Sequence, residues 1–433
     1  MKIAIATLGC KTNQSDAASL AAELLARGHE IISSRDLADV YILFTCTVTQ
    51  KTDYQSRQLI RRSGARNPRA QIIVTGCYAQ ISSEALRAIP GVDWVVGVSE
   101  EEKIPGIVGR GKELEGARLL SSPVEERRCF QDGRLPRFVE RTRAYLKVQD
   151  GCNAFCSYCI VPYARGRNRS LPLEHALTKV QGLVGQGCKE IVLTGIHLGT
   201  YGEDLVPSRS LLDLLQPLEY GGQEVRVRLS SIEPGEFSEG LIGFLANAKK
   251  ICPHLHIPLQ SGDDGILRRM KRNYSRDFFE DLINRLVSAI PDVAIGLDVI
   301  GGFPGEDEIA FQNTLGLIER LPITYLHVFP FSRRKGTLAD TFPGQVPPRV
   351  ANARCHMLRE LGERKRRLFY RGFLGRKVKV LVEGKKDRET GMLKGYSRNY
   401  IPVLLPGGDQ LKNQEVEVDL TEVEGEKVFG KLV

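Results

Sequence analysis

Short apolar runs of strand length, separated by polar stretches that suit helices, recur from Met1 to about Arg354. This rhythm leaves a chain few options besides parallel sheets covered by helices. In the first part the runs are KIAIATL, DVYILFT, QIIVTG and WVVGV, and ASLAAELLARG shows a helical apolar period that ends at Gly28. They predict an open parallel α/β sheet reaching to about Arg128. The stretch from Ser121 to Arg141 lacks apolar periodicity and reads as a linker. From Ala144 the rhythm resumes with AYLKVQ, EIVLTG, VRVRLSSI, HLHIPLQ, AIGLDVIGG and TYLHVFPF. Repeats in this number curve a parallel sheet into a partial (β/α) barrel, short of the closed eightfold form, and turn the loops after the strands toward one mouth.

Beyond a basic helix the period changes to two. VKVLVEGKK, GMLKGYSRNYIPVLL and QEVEVDLTEVEGEKVFGKLV predict a small antiparallel β-barrel, an architecture that often binds nucleic acid. A length of 433 residues exceeds what one core needs, and three domains are expected. The net charge of +9 is local: from Arg354 to Arg398 there are fifteen Lys or Arg against five Asp or Glu, leaving the rest of the chain at about −1. Arg364, Lys365, Arg366 and Arg367 alone read as the solvated face of a helix. The excess continues, however, through Arg376, Lys377, Lys379, Lys385 and Lys386, and a patch of that breadth suits a phosphate backbone. No apolar run approaches the roughly 18 residues of a membrane span, and MKIAIATLGC opens as a strand rather than a signal peptide, so a cytoplasmic protein without membrane contact is expected.

Ten cysteines in a chain this long are too sparse for a disulfide scaffold. In DGCNAFCSYC, Cys152, Cys156 and Cys159 follow a strand closely enough for three thiolates of one loop to hold three irons of a cubane and leave the fourth open. A zinc site with a ligand from elsewhere is the rival. Cys10, Cys46 and Cys77 each lie just past the carboxyl end of a predicted strand of the first domain, and in a parallel sheet those ends share one edge. They are candidates for a second cluster, again with zinc as the rival. Cys129, Cys188, Cys252 and Cys355 show no such pattern and read as structural thiols.

DGCNAFCSYCIVPYARGRNRS, followed in order by TGIHLGTYG, SSIEP, HIPLQSGDDGILRRMKR and GGFPGE, resembles the radical S-adenosylmethionine methylthiotransferases, and the similarity runs along essentially the whole chain. The resemblance implies an amino-terminal domain over 1–128 with an auxiliary 4Fe-4S cluster, a radical core over 138–367 and a terminal TRAM barrel over 369–433. It implies a cluster on Cys152, Cys156 and Cys159 that binds S-adenosylmethionine and reduces it to a deoxyadenosyl radical. A second cluster on Cys10, Cys46 and Cys77 would deliver a methylated sulfur to carbon 2 of an adenine of transfer RNA. An unactivated ring C–H is beyond side-chain acids and bases, which is why such a reaction calls for a cofactor.

LGCKTNQSD and TCTVTQKTDYQSRQLIRR resemble the group acting on N6-threonylcarbamoyladenosine beside the anticodon. Groups acting on isopentenyladenosine usually read YGCQMN at the first of these, and those acting on a ribosomal-protein aspartate read LGCPKN. Thr12 and Phe44 depart from the first group's usual Val and Asn, and Phe44 withdraws a polar side chain beside Cys46. Gly195, Gly301 and Gly302 are candidates for close backbone approach to S-adenosylmethionine, with tight turns as the alternative. Ser231 and Glu233 are candidates for its ribose or methionine part, with a salt bridge in the barrel as the alternative. Arg165, Arg167, Arg169, Lys377, Lys379 and Arg398 are candidate RNA contacts. Tyr396 and Tyr400 suit either base stacking or core packing. Expected partners are the anticodon stem-loop and an electron donor such as flavodoxin or ferredoxin, with the sulfur donor open. The competing class is an RNA-binding protein whose iron-sulfur or zinc sites hold only the fold.

Overall fold

The computed structural model describes residues 1–112, 116–136 and 142–433. Strands β1 (Lys2–Thr7), β2 (Glu30–Ile32), β3 (Val40–Thr45), β4 (Gln71–Gly76), β5 (Trp94–Val96) and β6 (Arg118–Leu120) form one parallel sheet in the order β2-β1-β3-β4-β5-β6. Every residue of β3 and β4 is buried, which is why these strands read as unbroken apolar runs. The two edge strands, each three residues long, carry no such run and escape the sequence pattern. Helices α1 (Lys11–Ala26), α2 (Gln50–Arg66), α3 (Cys77–Ile81) and α4 (Ser83–Arg87) cover the sheet. A reciprocal cap between Thr49 and Thr52 fixes the start of α2. In the register, Thr7 lies opposite Phe44 and Thr45 opposite Gly76, so β1, β3 and β4 end along one edge.

The second body starts with β7 (Arg143–Lys147); the expected boundary at 138 and the last part of the predicted linker lie outside the described residues. Short strands β8 (Gln149–Asp150) and β9 (Arg169–Ser170) pair antiparallel and clasp the base of the loop between them. Strands β10 (Glu190–Thr194), β11 (Arg226–Leu229), β12 (His254–His256), β13 (Ala294–Gly301) and β14 (Tyr325–Pro330) complete two parallel sheets, β11-β10-β7 and β12-β13-β14. A parallel bridge between Val227 and Ile251 joins them into an open barrel. Its helices are α5 (Val161–Arg165), α6 (Leu173–Gly185), α7 (Leu211–Tyr220), α8 (Glu239–Asn247), α9 (Asp264–Arg269), α10 (Arg276–Ala289), α11 (Glu308–Arg320) and α12 (Pro348–Arg371). Among the described residues no ladder joins β7 to β14, so the barrel has a gap.

The first domain fills that gap. Ser15 of α1 accepts from the Lys147 amide and donates to the Tyr145 carbonyl on β7 (both 3.2 Å). On the β14 side, the Gln50 amide donates to Ser332 Oγ (3.0 Å), and buried Arg334 reaches Asp53 and Thr47 (both 2.7 Å).

Strands β15 (Lys377–Lys386), β16 (Leu393–Ser397), β17 (Pro402–Leu405), β18 (Glu415–Glu424) and β19 (Lys427–Leu432) close into a barrel in the order β15-β16-β17-β19-β18. Its ladders are antiparallel except β17 with β19, which runs parallel and departs from the purely antiparallel reading. This small barrel plugs the end of the large one where the strands begin. Arg226 meets Glu415 (3.2 Å) and the Tyr396 carbonyl (3.0 Å), Arg228 donates to the Arg398 carbonyl (2.8 Å), and Arg398 itself pairs with Glu415 (3.1 Å). Tyr396 and Tyr400 stack on each other at 4.9 Å and receive the guanidiniums of Arg143 and Arg228 at 4.5 and 4.6 Å. They are packing residues of this plug, and their faces are already taken. With one mouth plugged, substrate access is left to the mouth where the strands end. Among the described residues no helix is long and apolar enough to cross a membrane.

Candidate active site

The loop after β8 carries the first cysteine set. Gly151 has φ +77° and a Cβ there would lie 1.9 Å from the Arg167 carbonyl, so only glycine lets the chain fold back on itself just before Cys152. The Cys152 amide donates to the Gly166 carbonyl (3.0 Å), the Ser157 amide to that of Met270 (3.0 Å), and the Ala339 amide to that of Ser157 (2.8 Å). The loop is thus held by backbone bonds that do not involve the thiols. Burial and the neighbouring thiolates of Cys156 and Cys152 push the Cys159 thiol up to about 12. Three partly buried thiols of one loop, two of which raise the third, are stabilised as thiolates by a cation, which fits an iron cluster. Two side chains not anticipated from the sequence point at them. Arg272 donates to Cys156 Sγ (3.5 Å) while pairing with Glu233, and His197 Nδ1 lies 3.3 Å from Cys152 Sγ with its far nitrogen on Glu236. Despite burial, Cys152 and Glu236 push His197 up to about 11.

Cys10, Cys46 and Cys77 come together at the edge where β1, β3 and β4 end. Cys46 and Cys77 directly follow β3 and β4, and Gly9, at φ +97°, passes so close over Cys46 that an added Cβ would lie 2.9 Å from its Sγ. Burial and the charges of the other two cysteines raise Cys77 to about 12, with Arg165 opposing; Cys46 is raised mainly by burial. Asn13 Nδ2 donates to the carbonyls of Leu8 (2.9 Å) and Thr45 (3.1 Å) and so ties the ends of β1 and β3. This donor set likewise fits an iron cluster.

Arg165 joins the two sets. It is fully buried at the end of α5, donating to Cys77 Sγ (3.4 Å), Asp16 (2.9 Å), Asp150 (3.3 Å) and Asn13. Arg169 is also buried and bonds the carbonyls of Arg167 (2.7 Å) and Arg165 (2.8 Å). Neither can reach a phosphate, so the expectation of RNA contact at Arg165 and Arg169 is corrected: acids of the first domain and of β8 had no visible signature as their partners. Arg167 is exposed and lies over Phe155 at 4.8 Å; Lys377 and Lys379 are exposed on β15. Arg398 is half-buried and engages Glu415 and the Lys249 carbonyl at the domain interface.

A Cβ on Gly195 would meet Gln149 Oε1 at 2.7 Å, and Cβ atoms on Gly301 and Gly302 would meet Cys355 Sγ at 2.8 Å and Ala351 Cβ at 2.3 Å. The two latter glycines therefore serve the close packing of α12 on β13, whatever else their backbone does. Ser231 is exposed beside the mouth, and Glu233 forms the salt bridge with Arg272. Cys188, Cys252 and Cys355 are buried and Cys129 is exposed.

Inside the barrel, Glu190 is ringed by Arg226, Arg228 (3.1 Å) and Arg143 (3.5 Å), which lower it to about 2 against the effect of burial. Asp298 is held ionised, also against burial, by His256 (2.9 Å) and His327 (3.4 Å). Lys11, next to Cys10, projects among these groups and is lowered to about 8 by burial and by Arg228 and Arg143.

Residues 2–97 match the model described as Uncharacterized protein family UPF0004, and residues 146–318 that of the Radical SAM superfamily. The chain is 40% identical to the threonylcarbamoyladenosine tRNA methylthiotransferase MtaB of Bacillus subtilis (strain 168), over 96% of this chain and 93% of that one. The enzyme of the same name from Aquifex aeolicus (strain VF5) is 39% identical over 88% and 93%. The tRNA-2-methylthio-N(6)-dimethylallyladenosine synthase of Moorella thermoacetica is 33% identical over 99% and 98%. In fold, the chain resembles the radical S-adenosylmethionine methyltransferase TsrM from Kitasatospora setae, with a TM-score of 0.58 at 14% identity, covering 83% of this chain and 84% of that one. Cysteine geometry, domain matches and near full-length identity agree, and the chain belongs to the radical S-adenosylmethionine tRNA methylthiotransferases.

Proposed function

We propose that this enzyme methylthiolates carbon 2 of N6-threonylcarbamoyladenosine beside the tRNA anticodon, using one 4Fe-4S cluster on Cys152, Cys156 and Cys159 and a second on Cys10, Cys46 and Cys77. The observation that carries the reading is the convergence of both cysteine sets on one barrel gap, with Arg165 running from the loop after one set to a thiol of the other. The substrate assignment is supported by the names of the most similar relatives and by LGCKTNQSD around Cys10. When bound, the clusters supply the one-electron cleavage of S-adenosylmethionine and the sulfur that is transferred. The chain's own residues do the rest: Arg272 and His197 offer positive charge to the Cys156 and Cys152 sulfurs, Arg165 does so at Cys77, and the first domain shuts the barrel gap against water. Exposed Arg167, Lys377 and Lys379 are the remaining candidates for the RNA backbone, and the enzyme would draw electrons from a flavodoxin or ferredoxin in the cytoplasm.

The test is the nucleoside content of tRNA from a strain lacking the gene. Methylthiolated threonylcarbamoyladenosine is expected to vanish and to return on complementation. Loss of the methylthiolated isopentenyl nucleoside instead would move the enzyme to the sister substrate.

A further inference from the structure

The cysteine set takes only Cys46 from TCTVTQKTDYQSRQLIRR; beyond its capping turn the segment runs into α2. That helix buries Ser56, Ile60 and Ser63 on a narrow face. Lys51, Tyr54, Arg61, Arg62 and Arg66, with Arg69 just past the end, are exposed and recur every three or four residues as one stripe. The 17 residues of α2 span about 25 Å. Its first turn lies at the rim of the mouth: Thr49 closely follows the end of β3, and the Gln50 amide donates to Ser332 Oγ just past β14 (3.0 Å).

The positive charge of this stripe is unspent. From Gln50 to Arg69 there are six Lys or Arg against one acid, Asp53, which Thr47 and Arg334 already hold. Arg57 donates to the Tyr78 hydroxyl (2.8 Å), and Arg62 and Arg66 bond neutral groups, Gln58 (3.1 Å) and the Ser34 carbonyl. Among the described residues none of the six makes an ion pair. On α12, by contrast, Arg364 and Arg366 pair with Glu319 and Glu426, and Lys365 donates to the carbonyls of Glu319 and Leu321. A stripe of one sign makes a local field that attracts an anionic partner. Tyr54 is the one large apolar side chain that α2 exposes, too little for the apolar centre of a protein interface. Guanidiniums in a row suit phosphates instead.

We propose that this stripe grips the anticodon stem: Lys51, Arg61, Arg62, Arg66 and Arg69 neutralise phosphates along one strand of the stem, while the loop beyond it enters the mouth. Duplex RNA keeps its base edges in a groove too deep to read and is held through its backbone, so the contact is independent of sequence. The inference rests on tRNA as the substrate and not on which adenosine is modified. Arg61 and Arg62 are positioning residues here, holding the RNA without touching a reacting atom.

The test is binding of two RNAs to the full-length enzyme with both clusters reconstituted, over a range of salt: the anticodon stem-loop, and the same loop sequence as a single strand without the stem. The double variant Arg61→Gln, Arg62→Gln is expected to bind the stem-loop about tenfold more weakly and to lower the slope of log affinity against log salt by about 1–2, with binding of the single strand unchanged. Both side chains are exposed and lack an acid partner, so thermal unfolding and iron content should match the wild type. Arg61→Lys, Arg62→Lys should keep the slope, since the charge remains. Unchanged stem-loop affinity and slope in the Gln variant would make the stripe a solvated face and overturn the proposal, and equal loss on both RNAs would overturn it by moving the contact to the loop. Slower reduction by flavodoxin with RNA binding intact would overturn it in favour of an acidic electron carrier. In all three cases the wild type still binds the stem-loop and the substrate reading stands; a wild type without salt-dependent affinity for the stem-loop would take both down.

Discussion

Cys156→Ala is expected to abolish methylthiolation, by more than about a thousandfold, together with all cleavage of S-adenosylmethionine. The thiol sits in a loop fixed by backbone bonds from Ser157 to Met270 and from Ala339 to Ser157, so alanine removes a ligand without removing what holds the loop. Arg272 would lose its sulfur partner but keep Glu233. The contrast lies across the barrel gap. Cys77→Ala, in the other set, should leave S-adenosylmethionine cleavage detectable while the methylthio product disappears. Measuring deoxyadenosine and modified nucleoside in the same reaction checks both. Equal loss of both products in the two variants would mean that the sets do not divide the work as assigned here.

The second large effect is on stability. Arg165→Met should cost about 3–5 kcal/mol, because Asp16 and Asp150 would lose a buried cation and keep only Lys147 and the more distant Arg169. Against burial, Lys147, Arg165 and Arg169 hold Asp150 well below the usual carboxylate range. Calorimetric unfolding checks the loss, and the double variant Arg165→Met, Asp150→Asn should recover part of it, since neutralising the orphaned acid removes the main cost. Additive losses would show that the two residues do not act as a pair. Because Arg165 spans the first domain and the barrel, the variant should also loosen their docking, and overall susceptibility to proteolysis is expected to rise.

Much of this architecture is legible in the sequence because strands buried on both faces are unbroken apolar words. YILFT and IIVTG became β3 and β4 almost letter for letter, and five of the six large-barrel strands fell inside the predicted runs, with β7 starting one residue before AYLKVQ. The cysteine sets were visible for the same reason, since position relative to a strand end survives without coordinates. What stayed hidden depends on distant partners. Arg165 and Arg169 look like phosphate contacts until Asp16, from the first domain, is seen beside Asp150. Tyr396, Tyr400 and Arg398 look like an RNA surface until the terminal barrel turns them onto Arg143, Arg228 and Glu415. His197 lay in TGIHLGTYG and Arg272 in LRRMKR, both inside recognised motifs, but a lone His or Arg has no spacing rule that marks it as a neighbour of a thiol. The edge strands β2 and β6 were too short for any pattern.

The most direct test of the central claim uses purified enzyme with both clusters reconstituted, a low-potential reductant, S-adenosylmethionine carrying a deuterated methyl group, and tRNA bearing threonylcarbamoyladenosine. The account predicts deoxyadenosine together with a threonylcarbamoyladenosine that has gained a deuterated methylthio group. Deoxyadenosine without that nucleoside, or a deuterated methylthio group appearing only on isopentenyladenosine tRNA offered in its place, would contradict it.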